Sequence, residues 1–484
     1  MYIFLVLLLS FALRTTFIVK PEGLWNDEYV SLMVASTPFH QGFWQGVLKQ
    51  CHMPLYYLYL KPFAHCGDLI LRFTSLVPSI IAVWVMYLVG KEYSEKCAKY
   101  SILVAAILPF LIYYSQEVRL YSLVFLLSAL VLLFFIRVLK NTEKKDIFLY
   151  SLFSIILVFT HVLGIFYVFF STAYLIYKKN LLSKRILLLC CAVCLLVLPF
   201  GINILRQLPS SQWWGVFSYT NLMFLFSDFF SPVLTNNVNA PPNFYYKKDF
   251  LFVLMITIPT LLGLVGIYFG SKKLKDMLII PIAVVVTMSL LALTGKLVFI
   301  TKYAIEILPM LILAMSVGFD ENKKLQTYLF NAFVLINIIA IFFAYYPSKA
   351  LRTEGHNLPA KMLNYQNPDK IIYTYYAPDR FKRYLKIDKP SKHISKINRF
   401  EYLDNTQRIF DDVKPNERVA VVFLDSVSFV PASRIEEAED KKLPEMFITF
   451  SIIRHNLEKY FEQEFYDIAF SKLGSWVVIS GIKK

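Results

Sequence analysis

Runs of about 18 or more apolar residues follow one another along this chain, and each is long enough to cross roughly 30 Å of hydrocarbon. A chain of 484 residues that is 57% hydrophobic exceeds what a water-soluble core of this length needs. The pattern therefore implies an α-helical polytopic membrane protein. Candidate spans are 2–19, 69–90, 98–114, 120–137, 147–160, 162–177, 186–205, 250–270, 277–294, 303–319 and 326–345, about eleven transmembrane helices. The first run lacks a basic leader and an A-x-A-like cleavage site. Arg14 also interrupts it, so it reads as a retained span.

A formal charge of +16 would suggest nucleic acid in a soluble chain. Here the lysines and arginines collect in short connections at 91–99, 137–145, 178–185, 272–275 and 323–324. That is the positive-inside pattern, so these loops read as cytoplasmic and no nucleic-acid partner is implied. Loops 20–68, 115–119, 206–249 and 295–302 then face outward.

The first outer loop, 20–68, is not a simple linker. Residues 28–36 and 40–49 can form short helices, and Trp25, Phe39, Phe43 and Trp44 give them apolar faces suited to the membrane interface. Loop 206–249 holds Trp213, Trp214, Pro232, Pro241 and Pro242 and reads as long and irregular, a lid or a connector. After residue 350 the long apolar runs stop. Strands are expected at 370–375, 418–424 and 474–482, and helices at 378–386 and 446–462. The chain so divides into a membrane domain, 1–350, and a small C-terminal α/β domain, 351–484, read as extracytoplasmic. That domain shows no nucleotide-binding glycine pattern, and packing or acceptor docking is open to it. Cys190, Cys191 and Cys194 share one apolar span and read as small hydrophobes. Spacing leaves the pairing of Cys51 and Cys66 open.

Three outer stretches carry the chemistry. In Leu24-Trp25-Asn26-Asp27-Glu28, two adjacent acids sit in a greasy, basic chain. A carboxylate held at a membrane boundary can take a proton from an attacking hydroxyl or amine, or hold a divalent cation. In Ser115-Gln116-Glu117-Val118-Arg119-Leu120-Tyr121, the Arg119 fork matches phosphate oxygens, and Glu117 can orient it or share a metal. His52, in His52-Met53-Pro54, and His161 can each bind a phosphate, a metal or a sugar hydroxyl, or serve structure alone. Lys302-Tyr303 opens the tenth span, either as an interfacial anchor or as a second cationic arm for a lipid-linked phosphate.

The order of these motifs resembles that of the C-type (GT-C) glycosyltransferases. It runs Arg14, Leu-Trp-Asn-Asp-Glu, His-Met-Pro-Leu-Tyr-Tyr-Leu, Leu-Arg-Phe-Thr-Ser-Leu-Val-Pro-Ser, then Tyr-Tyr-Ser-Gln-Glu-Val-Arg-Leu-Tyr. More narrowly it is similar to the protein O-mannosyltransferases, the aminoarabinose transferases of lipid A and the lipopolysaccharide-core transferases of the RgtA-to-D type. Thr160-His161 followed by Gly164 and Phe166, and Lys302-Tyr303 with Pro309, fit the same group. Met53 stands where that group usually has proline, and Lys302 where it usually has arginine.

The resemblance implies transfer of a sugar from a polyprenyl-phosphate donor to a lipid, glycan or protein acceptor of the cell envelope. The reaction is placed on the outer face of a bacterial inner membrane, with inversion. Asp27 is implied as general base with Glu28 beside it, and Arg119, Lys302 and His52 as donor-phosphate ligands. Glu117, Tyr121, His161 and Tyr303 are implied in support. No cofactor is called for beyond a divalent cation, for which Asp27 and Glu117 are the candidates. Two other classes compete. A lipid or glycan transporter would place ionisable groups along its spans at mid-depth. A polymerase or ligase would use a lipid-linked oligosaccharide.

Overall fold

Among the described residues the apolar runs fold as helices, one of them broken. The structure, a computed structural model, describes residues 1–16, 18, 23–50, 52–179, 197–203, 206, 219–231, 250–294, 299–321, 323–342, 357–374, 383–394, 412–425, 461–469 and 475–483. Residues Met1–Val19, Val30–Val238 and Lys248–Pro347 form one compact unit, and Lys20–Tyr29, Asn239–Lys247 and Ser348–Lys484 a second.

In the first unit, four helical segments are long and apolar enough to cross a membrane: Asp68–Lys91, Tyr121–Asn141, Leu254–Leu274 and Thr301–Phe319. Shorter apolar helices are Tyr2–Thr15, Ile279–Leu293 and Lys324–Ala340. The chain is an integral membrane protein. In order, the helices are α1 (Tyr2–Thr15), α2 (Asn26–Ser36), α3 (Phe43–Lys49), α4 (Pro54–Leu60), α5 (Asp68–Lys91), α6 (Glu95–Ile107), α7 (Pro109–Tyr114) and α8 (Tyr121–Asn141). Then come α9 (Lys144–Thr160), α10 (Gly164–Lys179), α11 (Tyr219–Phe230), α12 (Phe250–Leu274), α13 (Ile279–Leu293), α14 (Leu308–Phe319) and α15 (Lys324–Ala340).

Burial separates the helices that face lipid from those at the centre. Ile279, Ile282, Val286, Leu290 and Leu293 of α13 are all exposed; their spacing of three and four lays one apolar stripe along the helix, as a lipid-facing surface requires. Every residue of α14 is buried. It approaches α12 through small residues on both sides, Gly266 and Gly270 against Ala314 and Gly318. A Cβ on Gly270 would strike the Ala314 carbonyl, and one on Gly318 the Gly266 carbonyl. Between helices already in an apolar solvent, such close backbone approach replaces the hydrophobic drive.

The run expected as one span at 98–114 is two helices, α6 and α7, because Pro109 lacks the N–H that would bond the Ala105 carbonyl. Arg14 supplies the missing donors: Nη2 to Ala105 O at 2.9 Å and Nη1 to Ala106 O at 2.7 Å. Nε reaches Ser79 Oγ at 2.9 Å and Nη1 also reaches Ser10 Oγ at 2.8 Å. A fully buried arginine is thereby paired, and the break it stabilises turns the chain toward residues 115–120.

Loop 206–249 is not irregular throughout, since Tyr219–Phe230 is a helix. Its Phe229 and Phe230 are fully buried, with Phe229 edge-on to Phe110 and Phe230 beside the ring of Phe333. The flanking prolines and asparagines hid this segment in the sequence. Cys51, Cys190, Cys191 and Cys194 lie outside the described residues.

The second unit carries α16 (Asn357–Gln366) and a five-stranded sheet of β1 (Lys370–Thr374), β2 (Ser391–Ile394), β3 (Arg418–Asp425), β4 (Phe461–Ala469) and β5 (Ser475–Lys483). Its order is β2-β1-β3-β5-β4, parallel across β2, β1 and β3 and antiparallel across β3, β5 and β4. Of the helix expected at 446–462, residues 461 and 462 open β4 instead, and the earlier ones lie outside the described residues. A register shift between Gln463 and Phe465 breaks the alternation that would have marked a strand. Of the helix expected at 378–386, residues 383–386 are turn and extended chain; the earlier ones lie outside the described residues.

Candidate active site

In the first unit, the turn 115–120 between α7 and α8 is tied to the end of α1. Gln116 Nε2 donates to the carbonyls of Arg14 and Thr16 at 2.9 and 2.7 Å, and Arg72 Nη1 donates to Ile18 O at 3.1 Å. These side chains occupy carbonyls that a helix end leaves open. Ser75 Oγ donates to the Arg119 carbonyl at 3.2 Å, and Arg119 N to the Glu117 carbonyl at 2.7 Å. Arg119 is thus presented from a braced turn, with Glu117 buried beside it in sequence.

The turn before α14 delivers the second cation. Thr301–Ile307 forms 3-10 helix and is pinned by Thr301 Oγ1 donating to Asp228 Oδ2 of α11 at 2.8 Å, both residues buried. Lys302 Nζ lies 5.7 Å from the centre of the Tyr121 ring and 5.6 Å from that of Tyr303. The Arg119 guanidinium lies 5.9 Å from the same Tyr121 ring. Two positive groups far apart in sequence therefore lie against the same aromatic ring, an attraction worth about 0.5–2 kcal/mol each. Arg119 Nη1 also donates to the buried Ser31 Oγ at 2.9 Å.

Two imidazoles join them. His161 follows α9 and is buried, with its ring 6.3 Å from that of Tyr303. Enclosure, then the nearby Arg119 charge, pulls its pKa down to about 4. His52, half-buried next to Tyr57, is held well below the usual histidine range by enclosure and then by Arg119, His161 and Lys302. Both rings are neutral near pH 7, so Arg119 and Lys302 are the cationic groups among the residues gathered here.

Of the expected residues, the structure brings Arg119, Tyr121, His52, His161, Lys302 and Tyr303 together. Sequence reading missed Ser31, Asp228 and Glu306. Glu306 is fully buried, and its Oε2 lies 3.7 Å from His161 Nδ1. The signal was present: an acid inside an apolar run, as in Phe-Ser-Asp-Phe-Phe or Ala-Ile-Glu-Ile-Leu, is costly there and rarely idle.

The two first-loop acids sit on the first turn of α2, which groups with the second unit. Glu28 is fully buried, and its Oε2 accepts the Trp25 N–H at 3.1 Å. This is the backward half of a capping box, so Glu28 closes the helix start. Asp27 is half-buried. The Leu24 N–H donates to Tyr384 Oη at 2.8 Å. Among the described residues, no group of three or more His, Cys, Asp or Glu side chains gathers as metal ligands do.

No family model matches the chain, and no curated protein sequence does. Solved structures are similar in fold. ArnT from Cupriavidus metallidurans in the apo state has a TM-score of 0.50 and 9% identity, over 99% of this chain and 97% of that one. The same protein bound to undecaprenyl phosphate gives the same values. The Archaeoglobus fulgidus oligosaccharyltransferase in the apo form has a TM-score of 0.49 and 11% identity, over 96% of this chain and 73% of that one. The chain has the C-type glycosyltransferase fold that its motif order resembles.

Proposed function

We propose that this protein transfers a sugar from a polyprenyl-phosphate donor to an acceptor in the cell envelope, working at the outer face of a bacterial inner membrane. One observation carries the reading. Arg119 and Lys302 lie 5.9 and 5.7 Å from the centre of the Tyr121 ring, with His52 and His161 close by, among helices whose other faces suit hydrocarbon. A phosphate on an apolar tail fits such a recess, and a nucleotide is not needed to explain it. That ArnT is bound to undecaprenyl phosphate supports the same donor class here.

In this reaction the C1–O bond to phosphate breaks as the acceptor's oxygen or nitrogen bonds C1 from the opposite face. Asp27 takes the acceptor's proton, for which a positioned carboxylate contributes about 10²–10⁴-fold. Arg119 and Lys302 bear the charge that the phosphate gains, in a recess where water competes less. Glu28, spent on the helix cap, holds Asp27 in place and takes no proton.

The test compares envelope glycans and lipids by mass spectrometry in cells with the protein, without it, and with Asp27→Asn. Loss of a single sugar unit, restored by the parent and not by the variant, supports the proposal. Loss of a whole glycan chain points to a polymerase or ligase. Restoration by Asp27→Asn at the parental level removes Asp27 as the base.

A further inference from the structure

Glu306 has no place in the transfer chemistry above, yet its burial demands a cause. Among the described residues, neither of its carboxyl oxygens has a hydrogen-bond partner, nor has Nδ1 of His161, 3.7 Å away. A pair kept only for architecture is costly in this form. Leaving buried polar groups unpaired is destabilising, and apolar side chains of the same shape would pack the corner between α9, α10 and α14 at less expense. The pair is also placed with purpose. The Arg119 charge acts on His161, His161 in turn on His52, and the Tyr303 ring lies 6.3 Å from the His161 ring. Glu306 faces His161 and the buried Tyr167 of α10.

We propose that Glu306 and His161 share one proton and pass it between them as phosphate charge comes and goes in the recess. This rests on the donor reading above. In the empty recess the proton stays on Glu306, because an imidazolium beside Arg119 is repelled. When a phosphate dianion settles against Arg119 and Lys302, the local field reverses. The proton then leaves Glu306 Oε2, the Nδ1 lone pair forms the new N–H bond, and the pair becomes carboxylate and imidazolium. Its net charge is unchanged and nothing is drawn from solvent, while a third cation appears beside the phosphate when the leaving group gains its second charge. Glu306 is thus a positioning residue that acts through His161.

The experiment is calorimetric titration of the purified full-length protein with undecaprenyl phosphate, near pH 8, in buffers of different ionisation enthalpy; undecaprenol is the control. Wild type is expected to bind the phosphate with no net proton uptake. In Glu306→Gln the proton must come from buffer, so roughly one is taken up per phosphate and affinity falls about tenfold, the share of one charge-assisted hydrogen bond. His161→Gln is expected to lose a similar factor and to take up none. Equal proton uptake in wild type and Glu306→Gln overturns the proposal. If Glu306→Gln does not fold, His161→Gln decides: undiminished phosphate affinity overturns it, and a tenfold loss with undecaprenol binding kept supports it. Wild type that prefers undecaprenyl phosphate no more than undecaprenol overturns the donor reading itself, a result distinct from either.

Discussion

Arg119 Nη1 donates a 2.9 Å hydrogen bond to Ser31 Oγ, joining the turn before α8 to helix α2. α2 also carries Asp27, one helical turn earlier in the chain. The bond orients a guanidinium whose fork is wanted for phosphate. Ser31→Ala is therefore expected to weaken binding of undecaprenyl phosphate roughly tenfold, the scale of a hydrogen bond to a charged group. The unfolding temperature should move little, because Arg119 keeps its aromatic neighbour. Arg119→Ala should cost more in the same titration. Equal affinities for the parent and both variants would remove the phosphate from this recess.

Asp27 and Glu28 separate cleanly by substitution. Glu28→Gln keeps an acceptor for the Trp25 N–H and should leave transfer within a few-fold of the parent. Glu28→Ala loses the cap, at about 0.5–2 kcal/mol by analogy with N-cap removal, and should read mainly as a lower unfolding temperature. Asp27→Asn should keep the unfolding temperature and lose transfer by about 10²–10⁴. A loss of that size in Glu28→Gln would reverse the two roles.

Much of the recess was legible because its residues fall in loops, where charge stands out against apolar runs. Arg119, His52, His161 and Lys302 lie at helix ends, and each could be picked out by type and neighbourhood. Ser31 could not, since a serine in Val-Ser-Leu has no feature beyond its polarity, and its partner is far away in the chain. Glu306 lay inside an apolar run already assigned to a span, and a single acid has no period of its own. The break within one span was hidden for a different reason. α6 and α7 read as one run because hydropathy does not register that Pro109 strands a carbonyl, and Arg14 read as a motif residue although it answers that carbonyl. In the second unit, strands with strong β-branched character were plain, whereas β4 was obscured by its register shift.

Gly270 and Gly318 let α12 and α14 approach until backbone meets backbone. Overpacking a buried contact costs about 1–3 kcal/mol where neighbours can shift, and here the neighbour is main chain. Gly270→Val and Gly318→Val should each lower the unfolding temperature in detergent by several degrees. The same change at Gly201, where an added Cβ meets nothing within 4 Å, should not. Equal effects at the three sites would show that the close approach carries no stability.

The two depressed histidines set the acid limb of stability. A histidine whose folded pKa lies below its unfolded value near 6.5 costs nothing above that pH. As pH falls below about 6.5 the unfolded chain takes up the proton first, so stability declines; for His161 the decline continues to its folded value of about 4 and then levels. His52 shifts in the same direction and deepens the slope. Chemical unfolding of wild type and His161→Asn across this range should show a shallower decline in the variant. Parallel curves would mean that His161 is not held neutral.

The Leu24 N–H is bonded at 2.8 Å to Tyr384 Oη, and the turn that offers this phenol is itself fixed by α16. Asn364 Nδ2 donates to the Tyr384 carbonyl at 3.1 Å, and its Oδ1 accepts the Lys386 N–H at 2.8 Å. Leu24 is fully buried and stands three residues ahead of Asp27. Without the phenol oxygen its N–H is left unpaired, which costs about 1–3 kcal/mol and is most readily relieved by a shift of the segment leading into α2. Tyr384→Phe should therefore lower the turnover of transfer several-fold while undecaprenyl phosphate binds as before, because the acids and not the phosphate cations follow Leu24. Asn364→Ala, which frees the turn without touching the phenol, should act in the same direction but less. Weakened phosphate binding in Tyr384→Phe, or unchanged turnover in both variants, would detach the C-terminal segment from the positioning of Asp27.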